Sequence, residues 1–238
     1  MRLDLYLVQK DLARSRSHAQ DIIKRGLVLV NGLKVLKPKY NVLETDQIKL
    51  SKSDDFVSRS ANKLQGFLSH LKLNLKGRSA LDVGASTGGF TEVLLQQEVA
   101  EVYCIDVGSN QLAKSLKNDP RVHDFEQIDA KKTLPFKKHF DLIVIDVSFT
   151  SSKLILLNIL SHLKANADII LLFKPQFEGT RETRGKTFVV SESNSTLIKQ
   201  DFEVWLQENS IVVKSSQKAS LKGKKGNQEY VYWLKIKE

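Results

Sequence analysis

The sequence predicts an α/β protein in which a mostly parallel, seven-stranded sheet follows a small α+β module. From about residue 57 onward, short apolar runs typical of strands alternate with stretches typical of helices, and strands separated by helices form parallel βαβ units. Before residue 51 the pattern is instead two short helices and a hairpin. The 238 residues, of which 41% are hydrophobic, are enough for one sizeable core and a small second one.

The N-terminal module, residues 1–50, begins with two helical patterns. The apolar residues of "LDLYLV" (3–8) fit a first helix. Ser17 is a candidate cap for a second helix, and Gly26 is expected to end it, because these residue types favour helix starts and stops.

The rest of this module is predicted to be a three-stranded sheet. "LVLVNGLKV" consists of a strand, an Asn31-Gly32 turn and a second strand, which is a strong hairpin pattern, and "DQIKL" predicts a third strand. Residues 51–56 are polar and are predicted to be a linker.

Residues 57–238 are predicted to form the second domain. Its first element is a helix at "SANKLQGFLSHL", and a long helix runs from about Ser191 to Asn209. The predicted strands are "SALDVG", "EVYCID", "VHDFEQ", "DLIVID", "DIILLF", "IVVKS" and "EYVYWLKI". The first five are separated mostly by helical stretches and should run parallel.

Cysteine and histidine content limits the metal and redox chemistry available. Cys104 has no partner for an intramolecular disulfide, and the five histidines are scattered singly, which argues against a structural zinc site. No stretch approaches the roughly 18 apolar residues of a membrane span, and the N-terminus lacks the apolar core of a signal peptide. We expect a monomer in the cytoplasm with no metal and no membrane partner.

The net charge of +10 is concentrated in two segments. Residues 1–42 carry nine Lys and Arg against three Asp, and residues 214–228 carry five lysines and no acidic residue. A basic surface can serve solubility alone. Segments this unbalanced nevertheless favour a polyanionic partner, most simply a nucleic acid.

The glycine-rich segment "LDVGASTGGF" (81–90) is a strand, a turn and a helix start. It lacks the Lys and Ser/Thr of a phosphate-binding loop, and Ser86 occupies the place of the second glycine of a dinucleotide-binding loop. The remaining pattern, D-x-G-x-x-x-G-G, resembles motif one of S-adenosylmethionine-dependent methyltransferases, which have a Rossmann-like fold. The candidate cofactor-binding residues are Asp82, Gly84, Ala85, Ser86, Thr87, Gly88, Gly89, Phe90, Asp106, Asp129 and Asp146.

Two acidic residues support a cofactor site at the same edge of the sheet. Asp106 ends the second parallel strand and can accept hydrogen bonds from ribose hydroxyls, and Asp129, predicted to end the third, is a candidate for the adenine amine. Either residue alone is better explained as a turn residue or helix cap. Together with the glycine loop they favour cofactor binding.

The residues near the predicted substrate pocket exclude two methylation chemistries. "DVSF" (146–149) lacks the prolines typical of base-amine methylation, and Cys104 lies mid-strand, so it is not placed as a nucleophile for methylation of a ring carbon. What remains is Asp146 and Lys174, at the ends of neighbouring strands. Lys174 is either a solvated strand terminus or a charge that orients an alcohol and stabilises its alkoxide.

Five segments, "SRSANKL", "DVGASTGGF", "DVSF", "FKPQFE" and "GNQEY", resemble in sequence and order the TlyA proteins, which join an S-four-type RNA-binding module to an FtsJ-type ribose methyltransferase. The resemblance covers nearly the whole chain. It implies a catalytic set of Lys63, Asp146, Lys174 and Glu229. Without the resemblance, Lys63 would be interpreted as an exposed helix residue and Glu229 as an edge-strand charge.

The N-terminal segment "LARSRSHAQDIIKRGLVLVNGLKV" resembles the S-four RNA-binding fold, whose contacts address phosphates and RNA shape. The candidate RNA-binding residues are Arg2, Arg14, Arg16, Lys24, Lys34, Lys37, Lys39 and Arg59. "DDFV" (54–57) stands where many members have an Arg-aromatic-Val linker, so a switching role of the linker is left open.

The resemblance implies transfer of a methyl group from S-adenosylmethionine to the 2′-hydroxyl of a cytidine in the ribosomal RNA of a ribosomal subunit. Because Arg2 already opens the first helix and the chain stops at Glu238, it resembles the shorter form of the family, which implies the large subunit alone. Two other functions stay open. Family members are often named haemolysins, and a non-catalytic RNA-binding protein would share the same domains.

Overall fold

The computed structural model describes residues 1–13, 15–51, 56–185 and 187–237. The chain forms two compact units, Met1–Asp55 and Phe56–Glu238. Most of the predicted linker, residues 52–55, lies outside the described residues, as does Arg14. The question of a switching role for the "DDFV" stretch, which the sequence left open, falls largely on these residues.

The N-terminal unit contains two helices and a three-stranded antiparallel sheet of order β2-β1-β3. Asn31 and Gly32 both have positive φ angles, 52° and 81°, as the tight turn between β1 and β2 requires. The predicted hairpin and third strand are present. The elements are α1 (Leu3–Gln9), α2 (Arg16–Lys24), β1 (Val28–Val30), β2 (Leu33–Lys34) and β3 (Ile48–Leu50).

The prediction that Ser17 caps the second helix is wrong. The cap is Ser15, whose Oγ accepts a hydrogen bond from the backbone N–H of His18 at 3.2 Å. Ser15 has the extended backbone of a cap residue (φ −159°, ψ 162°), whereas Ser17 lies inside α2. Two serines two positions apart have the same propensity, so local sequence does not distinguish them.

The second unit is a seven-stranded sheet with helices on both faces, which confirms the predicted fold class. Its helices are α3 (Arg59–Leu68), α4 (Gly89–Gln96), α5 (Lys114–Lys117), α6 (Ser152–Ile159), α7 (Pro175–Glu178), α8 (Arg181–Arg184) and α9 (Glu192–Glu208), with a 3-10 turn at Leu160–His162. Its strands are β4 (Ser79–Val83), β5 (Glu101–Asp106), β6 (Val122–Glu126), β7 (Phe140–Ile145), β8 (Leu163–Phe173), β9 (Ile211–Lys218) and β10 (Tyr230–Ile236).

The strand order, β6-β5-β4-β7-β8-β10-β9, places a crossover between β4 and β7. The chain runs outward from β4 through β6 and then returns to the other side of β4. All neighbouring pairs are parallel except those of β10, which is antiparallel to both β8 and β9. In open α/β sheets, ligands bind beyond the carboxyl ends of the strands at such a reversal of strand order.

Two strand ends differ from the predictions. β8 begins at Leu163, five residues before the predicted start, because Leu163 pairs with Phe140 of β7. β6 ends at Glu126, so Asp129 lies in the following loop rather than at the strand end. Gln127 has a positive φ of 59° and donates its N–H to the carbonyl of Gly108, which takes the chain out of the sheet.

Candidate active site

Three of the four candidate catalytic residues lie directly beyond the ends of strands at one edge of the sheet. Asp146 follows β7, and Lys174 follows β8. Glu229 precedes β10, which runs antiparallel to β8 with Tyr230 opposite Phe173. Continuing this register places Glu229 opposite Lys174, so residues far apart in sequence meet at the ends of neighbouring strands.

Lys174 and Asp146 form an ion pair. The Lys174 Nζ atom is 2.5 Å from Asp146 Oδ1, and it also donates a hydrogen bond to Ser148 Oγ at 3.0 Å. Lys174 is only 9% exposed, so it is not a solvated strand terminus. The last residues of β8 are fully buried, and they hold this charge on a rigid support that ends where Pro175 begins α7.

Lys63 and Glu229 form a second, more deeply buried pair. Lys63 lies on α3 among buried apolar residues of that helix, and its Nζ is 2.5 Å from Glu229 Oε2. Lys63 is 7% exposed and Glu229 3%, so neither is the exposed charge that its local sequence would suggest. The other oxygen, Glu229 Oε1, accepts a hydrogen bond from the side-chain amide of Gln176 at 3.2 Å.

The two pairs together carry no net charge. Attraction within each pair offsets the cost of taking its charges out of water. Removing one partner of such a buried pair typically costs about 3–5 kcal/mol, because the other charge is left without compensation. The structure therefore brings all four predicted residues to the site as two interdependent pairs.

The glycine loop packs against the Asp146 segment. Gly84 has a φ of 81°, and a Cβ atom at this position would lie 2.7 Å from the carbonyl oxygen of Asp146, so only glycine fits. Ser86 also has a positive φ, 48°, and its backbone N–H donates to Asp106 Oδ2 at 2.9 Å. Gly88, with a φ of 92°, precedes α4. The loop is thus held between the ends of β5 and β7.

Of the remaining loop residues, three point away from a surface site. Phe90 is 2% exposed and packs in the core, Ala85 is 7% exposed, and Thr87 donates its hydroxyl to the carbonyl of Val57 at 3.4 Å. Gly89 is also buried, at the start of α4. The contacts of these residues lie within the protein and fix the shape of the loop.

Asp106 and Asp129 differ in what their carboxylates contact. Asp106 is half-buried and accepts from the N–H groups of Ser86 and Gly108 and from Gln111 Nε2, at 2.9, 2.8 and 3.3 Å. Asp129 accepts from the N–H of Lys131 at 3.0 Å, two residues further along its own loop. Asp106 is therefore built into the glycine loop, whereas Asp129 caps a local turn.

Asp82 is fully buried in β4, just before the loop. The Thr91 hydroxyl donates to Asp82 Oδ2 at 2.6 Å and is 3.1 Å from the sulfur of Cys104. Asp82 Oδ1 has no hydrogen-bond partner among the residues that the structure describes. Burial raises the pKa of Asp82 to about 7, against the lowering effect of Thr91 and with a further increase from the Asp146 and Asp106 charges.

The N-terminal unit has a basic groove of about 420 Å³. Its lining includes four candidate RNA-binding residues, Arg2, Lys24, Lys37 and Lys39. Lys34 is exposed on β2 of the same unit. In the other unit, Arg59 donates a hydrogen bond to the carbonyl of Lys222 at 2.8 Å, so this guanidinium also has a structural contact.

Arg2 and Arg16 share a buried carboxylate. Asp4 is 0% exposed and accepts two hydrogen bonds from Arg2 at 2.9 and 2.8 Å, one from Arg16 at 3.1 Å and one from Gln20 at 2.9 Å. Burial alone would raise the pKa of Asp4, but the hydrogen bonds from Arg2, Gln20 and Arg16 outweigh it and hold the pKa well below its usual range. Two guanidiniums around one carboxylate leave this surface positive.

Sequence comparisons divide the chain in the same way. Residues 1–48 match the S4 domain, and residues 56–236 match the FtsJ-like methyltransferase family. Over 242 residues the chain is 40% identical to the 16S/23S rRNA (cytidine-2'-O)-methyltransferase TlyA of Mycobacterium tuberculosis, covering 98% of this chain and 89% of that protein. The chain belongs to the TlyA family.

Two further similar proteins match almost the whole chain. The 23S rRNA (cytidine-2'-O)-methyltransferase TlyA of Campylobacter jejuni is 37% identical, with 98% of each chain covered. A solved structure from Streptococcus thermophilus, which carries a haemolysin name, has a TM-score of 0.78 at 31% identity and covers 100% of this chain and 89% of that one. The predicted resemblance to TlyA proteins is confirmed.

Two residues of the motif "FKPQFE", Gln176 and Glu178, make contacts at the site that were not predicted from the sequence. Gln176 contacts Glu229, as described above. The Glu178 carboxylate accepts from the Ser151 hydroxyl and from the N–H of Ser152, both at 2.6 Å, which ties the start of α6 to α7. The motif itself was the available signal, but only its lysine was assigned a role.

Two negative findings apply to residues 1–13, 15–51, 56–185 and 187–237. None of the helices there is long and apolar enough to cross a membrane. No group of three or more His, Cys, Asp or Glu side chains in these ranges is arranged to hold a metal ion.

Proposed function

We propose that this chain transfers the methyl group of S-adenosylmethionine to the ribose 2′-hydroxyl of a cytidine in ribosomal RNA. The observation that carries the proposal is the pair of buried lysine–carboxylate contacts, Lys174–Asp146 and Lys63–Glu229, at the carboxyl edge of the sheet. The names of the two TlyA relatives support cytidine, the 2′-oxygen and ribosomal RNA as the acceptor.

The residues around the glycine loop fit S-adenosylmethionine. Gly84 allows the backbone to turn tightly against Asp146, and the half-buried Asp106 carboxylate offers further acceptor capacity for ribose hydroxyls. We assign the methionine end to the loop from Gly84 to Phe90, the ribose to Asp106 and the adenine to Asp129, with Asp82 supporting the loop from beneath. Asp146 borders both this site and the acceptor. S-adenosylmethionine, when bound, supplies an electrophilic methyl group.

Lys174 has the central role in the proposed chemistry. A ribose hydroxyl is a weak nucleophile, and a fixed ammonium group orients its oxygen and stabilises the negative charge that develops there. Asp146 holds Lys174 in place and accepts the hydroxyl proton. The Lys63–Glu229 pair lies beside this group and positions the ribose. Because these groups are held by strand ends and by α3, they need no rearrangement to act.

Calorimetry of cofactor binding tests the assignment of Asp106. Asp106→Ala should weaken binding of S-adenosylmethionine about tenfold or more, since hydrogen bonds to a charged group contribute about 1.5–3 kcal/mol. Asp119→Ala is the matched control, because Asp119 pairs with Arg121 before β6, away from the carboxyl ends of the strands. Equal affinities of the wild-type protein and Asp106→Ala would remove Asp106 from the site.

We propose that the N-terminal module, residues 1–50, supplies RNA affinity in the cytoplasm, where ribosomal subunits are present. The groove with Lys24, Lys37 and Lys39, together with Arg2 and Arg16 around Asp4, gives a surface suited to phosphates. Arg14, Lys34 and Arg59 complete the proposed RNA-binding set. The FtsJ-like unit, from about residue 57, carries the chemistry.

The target subunit is proposed to be the large one, because 23S RNA is the substrate common to both named relatives. Mass spectrometry of ribosomal RNA from cells with and without the gene tests both parts of the proposal. The expected result is loss of one 2′-O-methylcytidine from 23S RNA. Loss of a methyl group from 16S RNA would overturn the restriction to the large subunit, and loss of a base methyl group would overturn the mechanism.

A further inference from the structure

Gln176 is a buried side chain that the proposed chemistry does not use. It lies on α7, two residues after Lys174, and is 6% exposed. Its Nε2 donates to Glu229 Oε1 at 3.2 Å, while Lys63 Nζ contacts Glu229 Oε2. The two oxygens of Glu229 are therefore held from two directions, one by α3 and the other by α7.

The chemistry of the contact fixes which way the amide points. An ionised carboxylate only accepts hydrogen bonds, so the NH2 group of Gln176 must face Glu229. This leaves Gln176 Oε1 buried with no hydrogen-bond partner among the described residues. An unpaired buried acceptor costs free energy. The orientation of the Gln176 amide therefore pairs a carboxylate oxygen of Glu229 and leaves the amide's own oxygen unpaired.

Helix α7 also connects this contact to the other ion pair. Pro175 is its first residue, and the N–H of Phe177 donates to the carbonyl of Lys174 at 2.9 Å. Gln176 therefore sits at a fixed offset from the strand end that carries Lys174. Through Gln176, the position of Glu229 is set relative to Lys174 by a four-residue helix, in addition to the β8–β10 ladder.

We propose that Gln176 is a positioning residue for methyl transfer, which acts through Glu229. It keeps the Lys63–Glu229 pair in the orientation that presents the ribose to Lys174. The inference rests on the proposed function, because it assigns a role within the same reaction. It predicts an effect on the rate of the chemical step and little effect on binding of either substrate.

The variant Gln176→Leu removes the donor while keeping a similar volume, and Gln176→Met is a second variant with an unbranched side chain. We expect kcat for methyl transfer to ribosomal RNA to fall roughly 10- to 100-fold in both, with KM for RNA and for S-adenosylmethionine within about twofold of wild type. Gln207→Leu is the control. Gln207 is exposed near the end of α9, at the edge of the sheet where β9 begins and away from Glu229, so kcat should stay within about twofold.

A double-mutant cycle separates action through Glu229 from a general structural role. In a Glu229→Ala background, adding Gln176→Leu should change the single-turnover rate by less than about twofold, because its acceptor is already gone. An equal loss in both backgrounds, unchanged kcat in the single variants, or failure of both Gln176 variants to fold would overturn the proposal. If the wild-type protein methylates no ribosomal RNA, the proposed function itself fails. A wild-type activity that the Gln176 variants share refutes only the role of Gln176.

Discussion

Each unit of the chain contains an aspartate with no exposed surface, and the pKa values of these two carboxyl groups are shifted in opposite directions. Asp4 of the N-terminal unit accepts from two arginines and a glutamine, and its pKa is held well below the usual range. Asp82 of the FtsJ-like unit receives one hydroxyl, from Thr91, and burial raises its pKa to about 7. Both carboxylates are shielded from solvent, but Asp4 lies just beneath partly exposed arginines whereas Asp82 lies in the core of the sheet, so depth and partners together set the two pKa values.

The same comparison extends to the functional surfaces. Around Asp4 there are more cations than carboxylates, so the N-terminal unit stays positive, as a phosphate-binding surface requires. In the candidate active site, two lysines meet two carboxylates and the charges balance. An excess of cations suits binding of a polyanion, whereas a balanced and buried set suits chemistry at a neutral hydroxyl.

The largest loss of activity is expected for Lys174→Ala, which removes one of the two lysines that balance the two carboxylates of the candidate active site. Methyl transfer should fall by roughly two to four orders of magnitude, because a charge that stabilises the developing oxyanion is lost. Binding of S-adenosylmethionine, measured by calorimetry, should change little. Lys164→Ala is a suitable control, since Lys164 pairs with Asp141 near the opposite end of β8. Near-wild-type activity of Lys174→Ala would return Lys174 to a structural role.

Asp4→Ala breaks the arginine cluster of the N-terminal unit. It removes the carboxylate that Arg2 and Arg16 share, and because both arginines are partly exposed to solvent, the free energy of unfolding of that unit should fall by only about 1–3 kcal/mol. Because the pKa of Asp4 is lowered by folding, its stabilisation is present at neutral pH and is lost as the pH falls below about 4. Urea unfolding at pH 7 measures the effect. Glu44→Ala, at an exposed carboxylate of the same unit, should cost little, and an equal loss there would contradict the argument.

Asp82→Asn tests the other half of the comparison, because Asp82 makes the free energy of unfolding fall as the pH rises, whereas Asp4 makes it rise. Between about pH 4 and pH 7 the folded state binds the Asp82 proton and the unfolded state does not, so this group lowers the free energy of unfolding as the pH rises. The variant should remove that loss, on the order of 4 kcal/mol for a shift of about 3 pKa units, and its stability relative to the wild type should be greatest near pH 8. Urea unfolding at pH 5 and pH 8 checks this. A variant with the same pH dependence as wild type would contradict the assigned pKa.

Lys37→Ala should have the smallest effect, since it removes one of several exposed charges of the basic groove. RNA affinity should fall a few-fold, and the slope of log affinity against log salt should decrease by about 1. Lys10→Ala, outside the groove lining, is the matched control. If both variants reduced the salt slope equally, the groove would have no special part in RNA binding.

Local sequence was enough for features that depend on neighbouring residues. The Asn31-Gly32 turn, the alternation of strands and helices, and the placement of Asp146 and Lys174 at strand ends follow from residue preferences and from the geometry of parallel sheets. The family resemblance supplied Lys63 and Glu229. Their burial as a pair depends on contacts across 166 residues of sequence, which no local pattern contains.

Other features could not be predicted because they depend on tertiary packing. Ser15 rather than Ser17 caps α2, although both have the same propensity. Asp82 is an acidic residue of a recognised motif, yet its raised pKa arises from burial in the core, which the local sequence does not reveal. The role proposed for Gln176 depends on the contact between its amide and Glu229, which follows from the position of α7 in the fold.

The most direct test of the central claim is the chemical position of the transferred methyl group. Purified protein would transfer a radiolabelled methyl group from S-adenosylmethionine to large ribosomal subunits, and the extracted RNA would then be hydrolysed with alkali. A 2′-O-methyl group blocks cleavage of the adjoining phosphodiester, so the label should appear in an alkali-resistant dinucleotide that begins with cytidine, and Lys174→Ala should give almost none. Label in a mononucleotide would mean base methylation and would contradict the assignment of the two lysine–carboxylate pairs to chemistry at a ribose hydroxyl.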